Sequence, residues 1–318
     1  MPSGTRASRL PDFLAPGDVL VVNTSATINA ALAAVRQARD GAKSDVTLHL
    51  STPLAAQRWV VELRRHSKKG TAPLLDAEVG DWLALPGGGT AKLIEPYLPD
   101  PSQFSSTPVR LWIAELTLPA DVLTYTARHG SPIRYAYVPG QWPLSYYQTI
   151  FSEEPGSAEM PSAGRAFTPG ILEGLTRKGV EVAPLILHTG VSSLEAEEPP
   201  YPERYRVPHQ TAVKVNSARA KGGRIVAVGT TAVRALETVA DDGGRVRAGQ
   251  GWTDLVVAPD RGLNVVTAIL TGLHDPKASH LSMLETLAGH EHLAIAYDAA
   301  LSHGYLWHEF GDLHLILP

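Results

Sequence analysis

The sequence predicts a mixed α/β protein: a barrel-like α/β main domain with a small all-β domain inserted into it. Three observations carry that prediction. The second half of the chain alternates helix-like and strand-like segments, which implies a mostly parallel sheet. Residues 45–138 carry only short β-rich runs separated by Gly/Pro turn clusters. The 318 residues, 44% hydrophobic and 19% charged, hold core material for one large or two moderate domains. The expected division gives residues 1–44 and 139–318 to a discontinuous main domain and residues 45–138 to the insert.

The first strong element is residues 18–23, an apolar run after the turn Ala15-Pro16-Gly17, read as a buried strand ending in a polar loop. Residues 26–38 are ambiguous, because Ile28, Leu32 and Val35 have helical spacing yet run straight into strand-like sequence. In the insert, residues 46–50, 58–63, 91–94 and 109–113 read as strands, with turns at 86–89 and 99–102. Thr168 then caps a helix with Pro169 at its first position. Ile171, Leu172 and Leu175 form its apolar face, and Gly179 ends it. A strand at 182–187, a helix near 209–221, a strand at 224–228 and a helix at 231–240 follow. A strand at 263–270, a helix pair within 279–303 and a final strand at 313–317 complete the order.

Composition narrows the function. The chain has no cysteine, which excludes disulfides, thiolate metal sites and a thiol nucleophile. No apolar run is long enough to cross a bilayer, and the first residues lack the apolar stretch of a secretory signal, so a cytoplasmic protein is expected. The formal charge of −4 gives no general affinity for a polyanion. The one dense basic cluster, Arg64, Arg65, His66, Lys68 and Lys69, reads as a solvated hairpin.

Ligands of parallel sheets sit beyond the carboxyl ends of the strands. That rule nominates Asn23, His188, Gly229-Thr230-Thr231 and residues 271–274 as one neighbourhood. The sharpest local signal is the stretch 225–237, where a buried strand turns through Gly229, Thr230 and Thr231 into a helix. Such a helix start binds carboxylates or phosphates through its free N–H groups, although Thr230 as a plain N-cap is the alternative. His188 and His274 each stand where an apolar strand enters a loop and are candidates for acid–base work. Asp312 precedes the last strand, as a turn former or as a base. The histidines are spaced too widely for a metal motif, so no metal is expected. These local readings describe an α/β enzyme with a loop-built pocket.

Taken together, six ordered segments resemble the S-adenosylmethionine:tRNA ribosyltransferase-isomerase family of queuosine biosynthesis. They are residues 147–156, Pro161-Ser162-Ala163-Gly164 with Phe167, Leu187-His188-Thr189-Gly190, the stretch 225–237, Leu273-His274-Asp275-Pro276-Lys277, and Phe310-Gly311-Asp312. The resemblance implies a tRNA-modifying transferase and isomerase with S-adenosylmethionine as co-substrate. Its ribosyl part passes to a deazaguanine of tRNA, and adenine and methionine leave. It assigns His188, His274 and Asp312 as catalytic. It assigns Asn23, Gly164, Phe167, Gly190, Gly229, Thr230, Thr231, Arg234 and Glu237 to binding, with Arg234 and Glu237 either paired with each other or reaching the ligand.

The chain also departs from the family pattern. Ala26 and Ala31 stand where the family has arginines, Arg165-Ala166 replaces Leu-His, and Pro202-Glu203-Arg204-Tyr205 loses a histidine and displaces a carboxylate by one position. Three alternatives therefore stay open: a small-molecule acceptor, simple cleavage of S-adenosylmethionine, or a non-catalytic nucleoside-binding protein. The oligomeric state is not legible.

Overall fold

Leu20 and Val22 face one core and Val19 and Val21 face another, so strand β1 (Val19–Asn23) is buried along its whole length. A strand covered on both faces needs apolar residues at every position, which is why this segment reads as a continuous run rather than an alternation. In the computed structural model, residues 4–55, 57–67, 70–97, 109–134, 138, 140–191, 200–274, 280–308 and 310–318 are described.

A short helix α1 (Leu10–Phe13) precedes β1, and β2 (Ser25–Thr27) follows it. The chain then enters a sheet built from β3 (Ala31–Gln37), β4 (Lys43–Ala55), β5 (Arg58–Ser67), β6 (Gly70–Pro73), β7 (Trp82–Ala84), β8 (Thr90–Pro96), β9 (Leu111–Thr117) and, after helix α2 (Val122–His129), β10 (Gly130–Ser131). Because β3 pairs with both β4 and β7, the ring β3–β4–β5–β9–β8–β7 closes on itself.

The return segment supplies β11 (Glu154–Ser157), which pairs with β2, and then α3 (Pro169–Arg177), β12 (Glu181–Leu187), β13 (Glu203–Val207), α4 (His209–Ala220), β14 (Ile225–Val228), α5 (Thr230–Thr238), β15 (Gly249–Thr253), β16 (Ala268–Gly272), α6 (His280–Ala288), α7 (His290–Ser302) and β17 (Leu313–Ile316). The main sheet has the order β15–β13–β12–β1–β14–β16–β17. Its centre, β12–β1–β14–β16, is parallel, and its flanks are antiparallel.

The mixed α/β architecture with an inserted β structure is as expected, but closure lies in the insert. Among the described residues the main sheet is open, with β15 and β17 at its two edges. The boundary expected at residue 44 cuts the β3–β4 hairpin, so residues 31–37 pair with the barrel rather than with the main sheet. The helical spacing within residues 26–38 misleads, because β3 instead buries Leu32 and Ala34 by strand alternation.

The strand expected at 263–270 is displaced to Ala268–Gly272 for a specific reason. The N–H groups of Asn264, Val265 and Val266 donate to the Glu237 carboxylate and are unavailable to a ladder. The basic cluster is only partly a solvated hairpin. Arg64 is buried and donates to Glu62 and Thr71, Arg65 and His66 are exposed, and Lys68 and Lys69 lie outside the described residues.

At the amino ends of the parallel strands, Asp18 fastens β1 to β14. It accepts the Arg224 N–H at 2.9 Å and the Arg224 guanidinium at 3.0 and 2.7 Å. Burial alone would raise its carboxyl pKa, yet hydrogen bonds from Arg224 and Ala15 hold it below the usual range. That end is stitched shut. The opposite end is where loops converge.

Candidate active site

Beyond the carboxyl ends of β12, β14 and β16 lies a cavity of about 150 Å³. Gly229, Thr230 and Thr231 form one wall. Gly229 has φ +89°, a left-handed backbone that glycine adopts without strain, and this lets the strand turn at once into α5. No side chain caps this helix. Its first N–H groups have no partner within the helix, and the helix dipole adds partial positive charge there.

Asn23 does not line the cavity. It is buried behind the wall, where its amide donates to the Leu187 carbonyl at 2.8 Å and to Thr231 Oγ1 at 3.2 Å, and accepts the Leu187 and Ser25 N–H groups. Asn23 therefore locks the ends of β1 and β12 and holds Thr231 in place. Its expected contact with a ligand is replaced by this positioning role.

Arg234 reaches the cavity one turn further along α5, but its donors are committed. The guanidinium donates to the carbonyls of Leu255, Tyr201 and Thr253 and pairs with Glu203. Glu203 also accepts the Gly190 N–H at 2.9 Å. Burial pushes the Glu203 carboxyl pKa upward, against the pull of Arg234. The displaced carboxylate of the sequence comparison is thus the anchor for Arg234 and for the Gly190 loop. Glu237 neither pairs with Arg234 nor faces the cavity. Among the described residues its side chain meets three backbone donors and Arg261, at 3.4 Å.

His274 enters from the loop after β16. Its Nε2 bonds Thr271 Oγ1 at 2.9 Å, its backbone N–H donates to the Tyr297 hydroxyl, and its buried Nδ1 has no partner among the described residues. Two histidines that sequence reasoning missed stand against it. The His280 ring stacks on His274 at 4.5 Å with 6° between planes, and the His308 ring lies 4.7 Å away; all three line the cavity. Burial pushes the His274 pKa well below its ordinary value and the neighbouring imidazoles add to this; burial, His308 and the Arg234 charge bring His280 to about 4. Burial thus favours the neutral form of all three rings. Among the described residues, no group of three or more His, Cys, Asp or Glu side chains is arranged to hold a metal ion.

Asp312 lies outside this cavity. It accepts the Leu306 N–H at 2.8 Å, and its own N–H donates to the Leu306 carbonyl. A Cβ at Gly311 would fall onto the carbonyls of Leu306 and Trp307, so only glycine fits there. Gly311 and Asp312 together shape the turn that presents His308, whose N–H donates to the Leu273 carbonyl. Asp312 thus makes these bonds within the turn and does not line the cavity.

The remaining expectations separate. Gly190 lines the cavity, as do Ser162 and Ala163 beside Gly164. Gly164 itself packs against Phe151 and Thr149, and Phe167 meets Phe151 edge to face at 5.1 Å in the core on the far side of the sheet. His188 faces away from the cavity. Its Nδ1 bonds Ser25 Oγ at 2.8 Å, its Nε2 lies 3.7 Å from Glu154, and burial lowers its pKa. The segment 275–277 of the sequence motifs lies outside the described residues.

Residues 3–316 match the family model described as queuosine biosynthesis protein. The S-adenosylmethionine:tRNA ribosyltransferase-isomerase of Moorella thermoacetica is 34% identical, over 97% of this chain and 87% of its own length. The protein of the same name from Thermus thermophilus is 34% identical over 98% of this chain and 88% of its own length. A crystal structure of S-adenosylmethionine tRNA ribosyltransferase from Thermotoga maritima, 25% identical, covers 98% of this chain and 86% of that one with a TM-score of 0.47.

Proposed function

Because the chain belongs to the queuosine biosynthesis protein family, we propose that it is a tRNA-modifying S-adenosylmethionine:tRNA ribosyltransferase-isomerase. It moves the ribosyl part of S-adenosylmethionine onto a deazaguanine of tRNA and releases adenine and methionine. The observation that carries this reading is the meeting, in one cavity, of an uncapped helix start with a cluster of imidazoles whose neutral form is favoured.

The co-substrate matches those two features. Its carboxylate is drawn to the N–H groups of Thr230 and Thr231 at the start of α5. Its sulfonium acidifies the neighbouring C5′ hydrogens, and a neutral imidazole is the form of histidine that accepts a proton. His274, fixed by Thr271 and Tyr297 and neutral at pH 7, is that acceptor. The acceptor amine of the deazaguanine attacks only when unprotonated and held close to the reacting carbon. A tRNA substrate places the protein in the cytoplasm.

The test is incubation of the purified protein with S-adenosylmethionine, with and without tRNA bearing the deazaguanine, followed by detection of free adenine. Release only in the presence of tRNA is expected. Release without tRNA, or none with it, rejects the proposal.

A further inference from the structure

The cavity is chemically divided. One side is the start of α5, which favours an anion. The other is formed by His280 and His308, half-buried and carried on separate segments, with His274 against both. A cluster of imidazoles on a cavity wall is an unusual lining. Apolar side chains would fill the same space without leaving the buried His274 Nδ1 lacking a partner among the described residues. Met283 of α6 lies beside them and supplies a polarisable apolar surface, which favours contact with aromatic rings.

We propose that His280 and His308 form the purine subsite of this cavity, so that S-adenosylmethionine binds with its adenine against the histidine wall and Met283 and its methionine carboxylate at the start of α5. This assignment rests on the function proposed above and adds the orientation of the co-substrate. The purine is its one flat, uncharged, aromatic part, with nitrogen donors and acceptors around its rim. Neutral imidazoles offer the matching surface: a flat ring for stacking and one donor and one acceptor each. Burial keeps His280 at about 4, so it presents no positive charge to repel the sulfonium at neutral pH. The carboxylate, the co-substrate's only anionic group, belongs at the start of α5. The structure also fixes how the histidines are held. His308 is tied to Leu273 through its backbone N–H and sits on the turn clamped by Asp312, while His280 is the first residue of α6 and stacks on His274.

The experiment is calorimetric titration of the intact wild-type protein and of the variants His280→Ala, His308→Ala and His308→Phe with S-adenosylmethionine, adenosine and L-methionine. Each alanine variant is expected to weaken adenosine and S-adenosylmethionine binding about tenfold or more while leaving methionine binding within twofold. His308→Phe keeps a flat ring in place and is expected to recover part of the adenosine affinity, which guards against an alanine variant that merely folds poorly. The proposal is overturned if adenosine does not bind the wild type. It is also overturned if the alanine variants bind adenosine as the wild type does, or if methionine and adenosine affinities fall together. Absence of tRNA-dependent adenine release from the wild type, with the selective loss of adenosine binding still seen, sinks the proposed reaction and leaves the purine subsite standing.

Discussion

Arg234 and Glu203 form a buried ion pair that joins α5 to β13 across 31 residues of chain, and the same carboxylate accepts the Gly190 N–H. One guanidinium thereby sets the positions of the Gly190 loop, the start of β13 and the carbonyls of Tyr201, Thr253 and Leu255 around the cavity.

Removing one partner of this pair leaves the other buried and uncompensated. Arg234→Met is expected to lower unfolding free energy by roughly 3–5 kcal/mol, read by denaturant titration. The double variant Arg234→Met/Glu203→Gln is expected to lose less than the sum of the single changes. Additive losses would show that the two side chains are not coupled.

Glu237 serves the backbone of residues 264–266 rather than a ligand. Glu237→Gln keeps one acceptor oxygen and loses the other, so a stability loss of about 1–3 kcal/mol is expected. The KM for S-adenosylmethionine should stay within twofold. A large rise in KM with unchanged stability would return Glu237 to the binding site.

Asp312 acts on the turn below His308. Asp312→Asn retains an oxygen for the Leu306 N–H and is expected to keep most of the rate of adenine release, whereas Asp312→Ala loses it about tenfold, the factor that roughly 1.4 kcal/mol of lost positioning produces. Equal and near-complete inactivation of both variants would identify a carboxylate that takes part in proton transfer.

His274 lines the cavity and His188 does not. His274→Ala is expected to reduce adenine release about 10²–10⁴-fold, with His188→Ala leaving activity well above that level under the same assay. The reverse order would move the chemistry to the Ser25–His188 side of β12.

The buried histidines also make stability depend on pH. His280 has its pKa lowered from 6.5 to about 4, and those of His274, His308 and His314 are lowered as well. Between about 4 and 6.5 the unfolded chain binds protons that folded His280 does not. Stability therefore falls as pH drops through that window and is unaffected by His280 above it. The contribution of His280 alone is on the order of 3 kcal/mol. Unfolding midpoints measured from pH 7.5 to 4.5 should decline, and the decline should shrink in His280→Leu. A flat profile would contradict the burial of these rings.

The strands β1, β12 and β14 and helices α3, α4 and α5 were legible because apolar runs and caps are local patterns: Val19–Asn23 is apolar throughout, and Thr168 and Pro169 mark a helix start wherever they occur. The Gly229-Thr230-Thr231 wall and His274 were legible for a related reason, since strand ends in a parallel sheet nominate their own loops. What tertiary structure alone decided was which polar groups are already spent. Asn23, Arg234, Glu237 and Asp312 look available in sequence, yet each is consumed by backbone or side-chain partners on other elements. Conversely, His280 and His308 belong to no strand-end motif and gain their place only when the segments carrying them fold over β16. A hydrogen bond or ring contact between distant residues leaves no periodicity in the chain, so only packing reveals which side chains face the cavity and which hold its walls.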